Sequence, residues 1–195
     1  MVKNNKIQNI YYIEADYLWS RPKKLLGWRS SLKDYSIILG ASLHMIDLIV
    51  WILGKKPKYI YSSGNRIGAN NQMINTNTFT SINLYFEKKM IVKINSHGLS
   101  VYPHFHSLEI YSENISFIHR LNEAYIIKKT NPLSKIKVKE PYPFKKNRSK
   151  IIDSYVNYIR TKSKDSTFVD IKDISDSMSI CFAAIDSMKL NKKLK

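Results

Sequence analysis

The residues best equipped for proton chemistry lie in one nearly all-apolar run, Gly40-Ala41-Ser42-Leu43-His44-Met45-Ile46-Asp47-Leu48-Ile49-Val50-Trp51-Ile52-Leu53-Gly54. On a helix of roughly 100° per residue, Ser36, Gly40, His44 and Asp47 fall within about 80° of one another. Apolar side chains cover the rest, as in a helix buried inside a domain. A titratable stripe there is either paired or faces a cavity that binds something polar. Imidazole titrates near neutral pH, so His44 could take a proton from a hydroxyl. The plainer reading is a buried histidine satisfied by a carbonyl. Asp47 lies on the same stripe as an orienting carboxylate or as a structural partner.

Before this helix, Trp19, Arg21, Trp28 and Arg29 flank a loop. In a sugar site aromatics stack on the ring and arginines grip hydroxyls or phosphate. The alternative is core tryptophans and solvated arginines. His104 and His106 are two apart, so on a strand both point to one face. They are half of a metal site without an evident third ligand, or they line a sheet face or pocket.

Around these residues the chain reads as one domain, 1–195, of α+β class: an open, mostly antiparallel β-sheet with helices packed on one face. Residues alternate over Ile7–Leu18, which predicts a long strand. Ser20–Lys33 reads as a basic loop broken by Pro22 and Gly27. Gly54, with Pro57 beyond it, predicts the end of the His44 helix. Strands are expected at Tyr59–Gly64, Thr78–Phe86, Met90–Ser96, His106–Tyr111, Ile115–His119 and Ala124–Lys128, with tight connections at Glu87-Lys88-Lys89 and Ser112-Glu113-Asn114. The Pro- and Lys-rich stretch 131–147 is expected to cross the surface. Two helices follow. Ile151, Ile152, Tyr155 and Ile159 stripe the first; Ile171, Ile174, Met178, Cys181, Ile185 and Met188 stripe the second.

The net charge of +17 attracts polyanions. The lysines are scattered, however, and no aromatic-and-glycine RNA signature occurs, so nucleic acid is not the expected partner. A sugar phosphate or nucleotide would profit from the same charge. The one cysteine, Cys181, excludes an internal disulfide and fits a reducing compartment. No signal peptide and no membrane span are read, so the cytoplasm is the expected location. The six glycines include no G-x-G-x-x-G, and no Walker A motif, G-x-S-x-G or zinc-type Cys/His set is present.

The pieces Tyr12-Ile13-Glu14-Ala15-Asp16-Tyr17-Leu18-Trp19, Gly27-Trp28-Arg29, Leu43-His44-Met45-Ile46-Asp47-Leu48 through Gly54, Pro103-His104-Phe105-His106 and Ala183-Ala184-Ile185-Asp186-Ser187-Met188 keep a familiar order and spacing. Together they resemble the C-terminal domain of the Gfo/Idh/MocA oxidoreductases, from about Ile7 to about Leu190. The likeness is greatest to members acting on sugars or nucleotide sugars. It implies an open-sheet domain that supplies the substrate pocket and usually the oligomer interface, beside a Rossmann domain that binds NAD or NADP. It also implies that His44 sits at the reacting hydroxyl. Two departures stand out. No counterpart of the Rossmann domain is read in this chain, so no cofactor is expected on it alone; NAD or NADP would need a separate Rossmann-domain chain. Many members carry an aspartate four residues before the histidine, where this chain has Gly40.

The expectation is therefore the substrate-binding and oligomerisation domain of a sugar or nucleotide-sugar dehydrogenase, with His44 catalytic and Trp19, Arg21, Arg29, Asp47 and His104 binding substrate. No cofactor-binding or metal residues are expected, and the free sheet face would form a homo-oligomer. The alternative is a stand-alone, non-catalytic dimeric or carbohydrate-binding remnant of that family. Polyanion binding, resting on charge alone, is the third possibility.

Overall fold

Alternation along β1 (Ile10–Leu18) sends Ile13, Ala15 and Tyr17 into the core and leaves Tyr12, Glu14 and Asp16 on the other face. Strands that are buried on one side only keep this period of two. The computed structural model describes residues 7–33, 35–69, 74–121, 123–137, 149–165 and 168–195. After β1 come α1 (Pro22–Leu26), a π turn at Ile38–Ser42, α2 (Leu43–Leu53), β2 (Tyr59–Asn65), β3 (Phe79–Tyr85), β4 (Ile91–His97), β5 (Phe105–Ser112), β6 (Ile115–Arg120), β7 (Glu123–Lys128), β8 (Asn131–Lys137), α3 (Ser149–Thr161) and α4 (Ile171–Leu190).

The strands form one eight-stranded sheet, ordered β2-β3-β4-β1-β5-β6-β7-β8. Only β1 with β4 is parallel. The fold is thus α+β with an open, mostly antiparallel sheet, as expected. The left-handed backbone of Lys88 and Lys89 makes the tight β3–β4 connection.

Helices α2 and α4 cover the core side of the sheet. Met45, Ile46 and Ile49 of α2 are buried, as are Ile180, Cys181 and Ala184 of α4. Small residues let α4 approach β2 closely: the Ser62 N–H donates to Ser187 Oγ at 3.1 Å, and the Ser62 hydroxyl donates to the Ala184 carbonyl. Gly54 closes α2 with φ of 65°, the left-handed conformation that glycine adopts without strain. The opposite sheet face is polar. There Lys93 pairs with Glu14 at 3.2 Å, and Asp16 accepts from Asn95 at 2.8 Å and from Ser107 at 2.9 Å.

Four expectations are corrected. The basic loop holds α1 and a 3-10 turn at Trp28–Ser31, because Pro22 opens a helix at its first turn and Leu25 is buried beneath it. The surface crossing begins as β8, since Asn131–Lys137 pairs with β7; its remainder, 138–147, lies outside the described residues. The His44 helix is not uniform, because its first turn is π. Finally, the α3 stripe is exposed, with Ile151 63% and Ile152 67% accessible. The core side of the sheet is taken by α2 and α4, and no described element covers that stripe.

The start of α4 carries a capping box: Asp170 accepts from the Asp173 N–H at 3.0 Å, and Asp173 accepts from the Asp170 N–H at 3.0 Å. Hydrogen bonds from Lys164 and from the Asp173 N–H hold the Asp170 carboxyl down at about 2. Its folded value lies below its unfolded value of about 3.9. The cap therefore stabilises fully above the unfolded value and is lost as pH falls through 2. The Asp173 amide is expected to keep its protection over intrinsic exchange until pH approaches that range, and to lose it already at neutral pH in Asp170→Ala. Equal protection in the variant would rule the cap out.

Candidate functional site

Tyr17 is the hub. The His44 ring stacks on it at 5.4 Å with 17° between planes. His106 lies 4.2 Å away, His104 5.5 Å and Trp19 6.0 Å. β1 brings Tyr17, with Trp19 just past its end, α2 brings His44, and β5 brings His106, with His104 just before it; Tyr17 is the cross-strand partner of His106. Beyond Trp19, the Arg29 guanidinium lies 5.7 Å from the Trp19 ring and 4.3 Å from the Trp28 ring.

The three imidazoles are held neutral. Burial lowers the pKa of His44, and the nearby Asp47 carboxylate opposes this. Burial, Arg21 and Lys24 lower that of His104, against a backbone hydrogen bond. His106 is pushed down to about 4 by burial and by His104, His44 and Arg21. His104 Nδ1 lies 3.0 Å from the Leu18 carbonyl. A carbonyl only accepts, so Nδ1 carries the hydrogen and Nε2 is left as an acceptor.

His44 itself is exposed along one edge, which opens on a cleft of about 210 Å³ shared with Leu43, Asp47, Val169, Ile174, Ser177 and Met178. A neutral imidazole beside such a cleft can accept a proton from a bound hydroxyl. Asp47 also lines it, but its carboxylate accepts from Ser177 of α4 at 2.9 Å, which ties it into the helix–helix contact.

The stripe expected on one helix face is dispersed. Through the π turn, Gly40 meets Tyr35, while His44 meets Tyr17 and Asp47 meets Ser177. A Cβ built on Gly40 would overlap the Tyr35 hydroxyl and come within 2.8 Å of its Cζ. The tyrosine ring thus fills the space of a side chain at position 40. Tyr17, Tyr35 and His106 join the residues expected from sequence. The alternation of β1 pointed to Tyr17, and the two-residue spacing from His104 pointed to His106. Nothing in the local pattern pointed to Tyr35. Arg21 is exposed and acts on this cluster through its charge.

The family model for the GFO/IDH/MocA C-terminal domain matches residues 1–118. The chain belongs to the Gfo/Idh/MocA family. Comparison with curated proteins gives no match. Among solved structures, myo-inositol 2-dehydrogenase from Lactobacillus plantarum is 17% identical with a TM-score of 0.77; the alignment covers 100% of this chain and 59% of that one. UDP-N-acetylglucosamine 3-dehydrogenase from Acidithiobacillus ferrooxidans is 12% identical with a TM-score of 0.72, covering 97% and 57%. Scyllo-inositol dehydrogenase from Lactobacillus casei, solved with NAD(H) and scyllo-inositol, is 14% identical with a TM-score of 0.71, covering 99% and 58%. At such identities the likeness shows the fold, and this Gfo/Idh/MocA C-terminal domain spans less than two thirds of each of those chains.

Neither α2 nor α4 of this Gfo/Idh/MocA domain opens on a dinucleotide site of the usual kind. A pyrophosphate needs free N–H groups at a helix N-terminus behind a glycine-rich turn. Here α2 continues directly from the π turn, and α4 is capped by the Asp170 carboxylate, which repels an anion. None of the described helices is long and apolar enough to cross a membrane.

Proposed function

We propose that this domain supplies the substrate pocket of an NAD(P)-dependent sugar or nucleotide-sugar dehydrogenase, the dinucleotide being bound by a Rossmann domain. One observation carries the reading: the His44 imidazole stacks on Tyr17 and lines an open cleft, with partial burial lowering its pKa. In this role His44 accepts the proton of the reacting hydroxyl, while Trp19, Arg21, Arg29 and His104 bind the substrate. Asp47 raises the basicity of His44 from its position against Ser177. The uncovered polar face of the sheet is the surface through which copies of the chain associate, and the cytoplasm is the compartment.

Gly40 favours a second reading, a carbohydrate-binding domain without catalysis. With no side chain at position 40, the carboxylate acting on His44 is Asp47, which is already engaged with Ser177.

The test pairs the chain with an NAD(P)-binding Rossmann domain and follows reduced nicotinamide with myo-inositol or UDP-N-acetylglucosamine as substrate. In parallel, histidine ring signals are recorded by NMR during sugar titration of the chain alone. Turnover together with a shift of the His44 signals is expected. Saturation with sugar that leaves His44 unmoved would overturn the catalytic reading. A His44 shift with no turnover in a well-folded pair would leave the carbohydrate-binding reading standing.

A further inference from the structure

Asn65, Phe79, His97, Leu18 and Phe105 stand in register across β2, β3, β4, β1 and β5, so the segments next to them emerge at one end of the sheet. These segments are 19–33, 66–78 and 98–104. Hydrogen bonds tie them together: the Ser20 hydroxyl donates to the Tyr102 carbonyl, and the Asn75 side-chain amide donates to the Ser30 carbonyl at 3.3 Å. None of the three contains Asp or Glu, while together they carry Arg21, Lys23, Lys24, Arg29, Lys33 and Arg66. All of these cations except Arg29 are exposed, and none of the ion pairs among the described residues includes them. Asp34, next along the chain, lies outside the described residues. Among the strand connections at this end, the next carboxylate is Glu123, beyond β5.

Apolar side chains protrude from the same segments. Val101 is fully exposed, Ile67 is 73% and Trp28 64% exposed, and Leu26, Leu32 and Tyr102 are exposed as well. The other exposed apolar surface, on α3 and the start of α4, differs in charge, because Asp153, Asp165, Asp170, Asp173 and Asp176 accompany its lysines. Cations without carboxylates, together with apolar tips on separate loops, match an anionic bilayer: the headgroups take the charge and the acyl boundary takes the tips. The rings of Trp28 and Tyr102, apolar with one polar edge, suit that boundary. A nucleic acid would use the cations and leave Ile67 and Val101 in water. We infer that this end of the sheet is a peripheral docking surface for an anionic lipid bilayer, on which the chain lies without spanning it. The inference is independent of the substrate-pocket reading.

Co-sedimentation of the full chain with phosphatidylcholine vesicles, with and without about 30% phosphatidylglycerol, tests it. Binding about tenfold or more tighter to the anionic vesicles is expected, weakening as salt rises. Each cation near such a surface contributes about fivefold, so Lys23→Glu combined with Lys24→Glu is expected to lose about twentyfold or more. Lys128→Glu with Lys129→Glu changes the net charge equally at the opposite end of the sheet and is expected to lose far less. Val101→Ser, at a side chain with no burial to lose, is expected to weaken binding about three- to tenfold at unchanged Tm. The comparison of the two vesicles needs no variant. If both vesicle types bind alike, or neither binds, the docking surface is wrong. If reversal at Lys128 and Lys129 costs as much as reversal at Lys23 and Lys24, binding follows net charge and the assigned end is wrong. If Val101→Ser binds as the wild type does and a single-stranded oligonucleotide displaces the vesicles, the partner is a nucleic acid and the bilayer is wrong. None of these outcomes bears on His44.

Discussion

Replacing His44 with glutamine is expected to lower turnover by roughly 10²–10⁴-fold in the chain assayed with an NAD(P)-binding Rossmann domain, while sugar affinity changes far less. Glutamine keeps much of the size and hydrogen-bonding reach of the imidazole but cannot accept a proton at neutral pH. The wild-type pH profile has a defined sign. Burial holds the pKa of His44 below the ordinary imidazole range, so the base is free at neutral pH. Activity should be flat there and decline only as acidification protonates the ring. In His44→Gln the acidic limb attributable to this group should vanish with the rate. A variant that keeps both its rate and its acidic limb would remove His44 from the chemistry.

Ile46→Ala is expected to destabilise the fold by about 2–5 kcal/mol. Ile46 is 0% exposed, two residues beyond His44 on α2, in the layer between helix and sheet. Truncation leaves a void that packed neighbours cannot close. At about 2–4 °C per kcal/mol for a chain of this size, Tm should fall by roughly 4–20 °C. The same substitution at Ile151 on α3 should change stability by only about 0.5 kcal/mol, because that side chain is 63% exposed. Thermal unfolding of the two variants compares them directly. Equal losses would mean that the α3 stripe is covered by something in solution.

The contrast between these isoleucines marks how far periodicity can be read. A 3.6-residue repeat reports that a helix has an apolar side, and both α2 and α3 have one. It does not report whether another element reaches that side. For α2 the sheet does; for α3 nothing among the described residues does. Strand alternation was informative for β1 because helices cover only one face of the sheet. Strand order was not legible, since the parallel β1–β4 pairing joins segments about 80 residues apart. The π turn escaped notice for a related reason. It depends on contacts outside the helix, among them the Ile37 N–H to Thr76 Oγ1 at 3.3 Å and the Tyr35 ring against Gly40.

By itself, then, the amino-acid sequence determined most of the element types, the polar-and-apolar division of β1, the end of the His44 helix, and the motifs that carry the family. Each is encoded within a few residues of backbone, through side-chain period, caps and turn formers. The tertiary structure alone decided that Tyr35 fills the place beside Gly40 and that Asp47 turns to Ser177, 130 residues away. It also decided that His44, Tyr17, His104 and His106 form one cluster. These contacts join distant segments, and their geometry follows from how the helices settle on the sheet, which no local pattern contains.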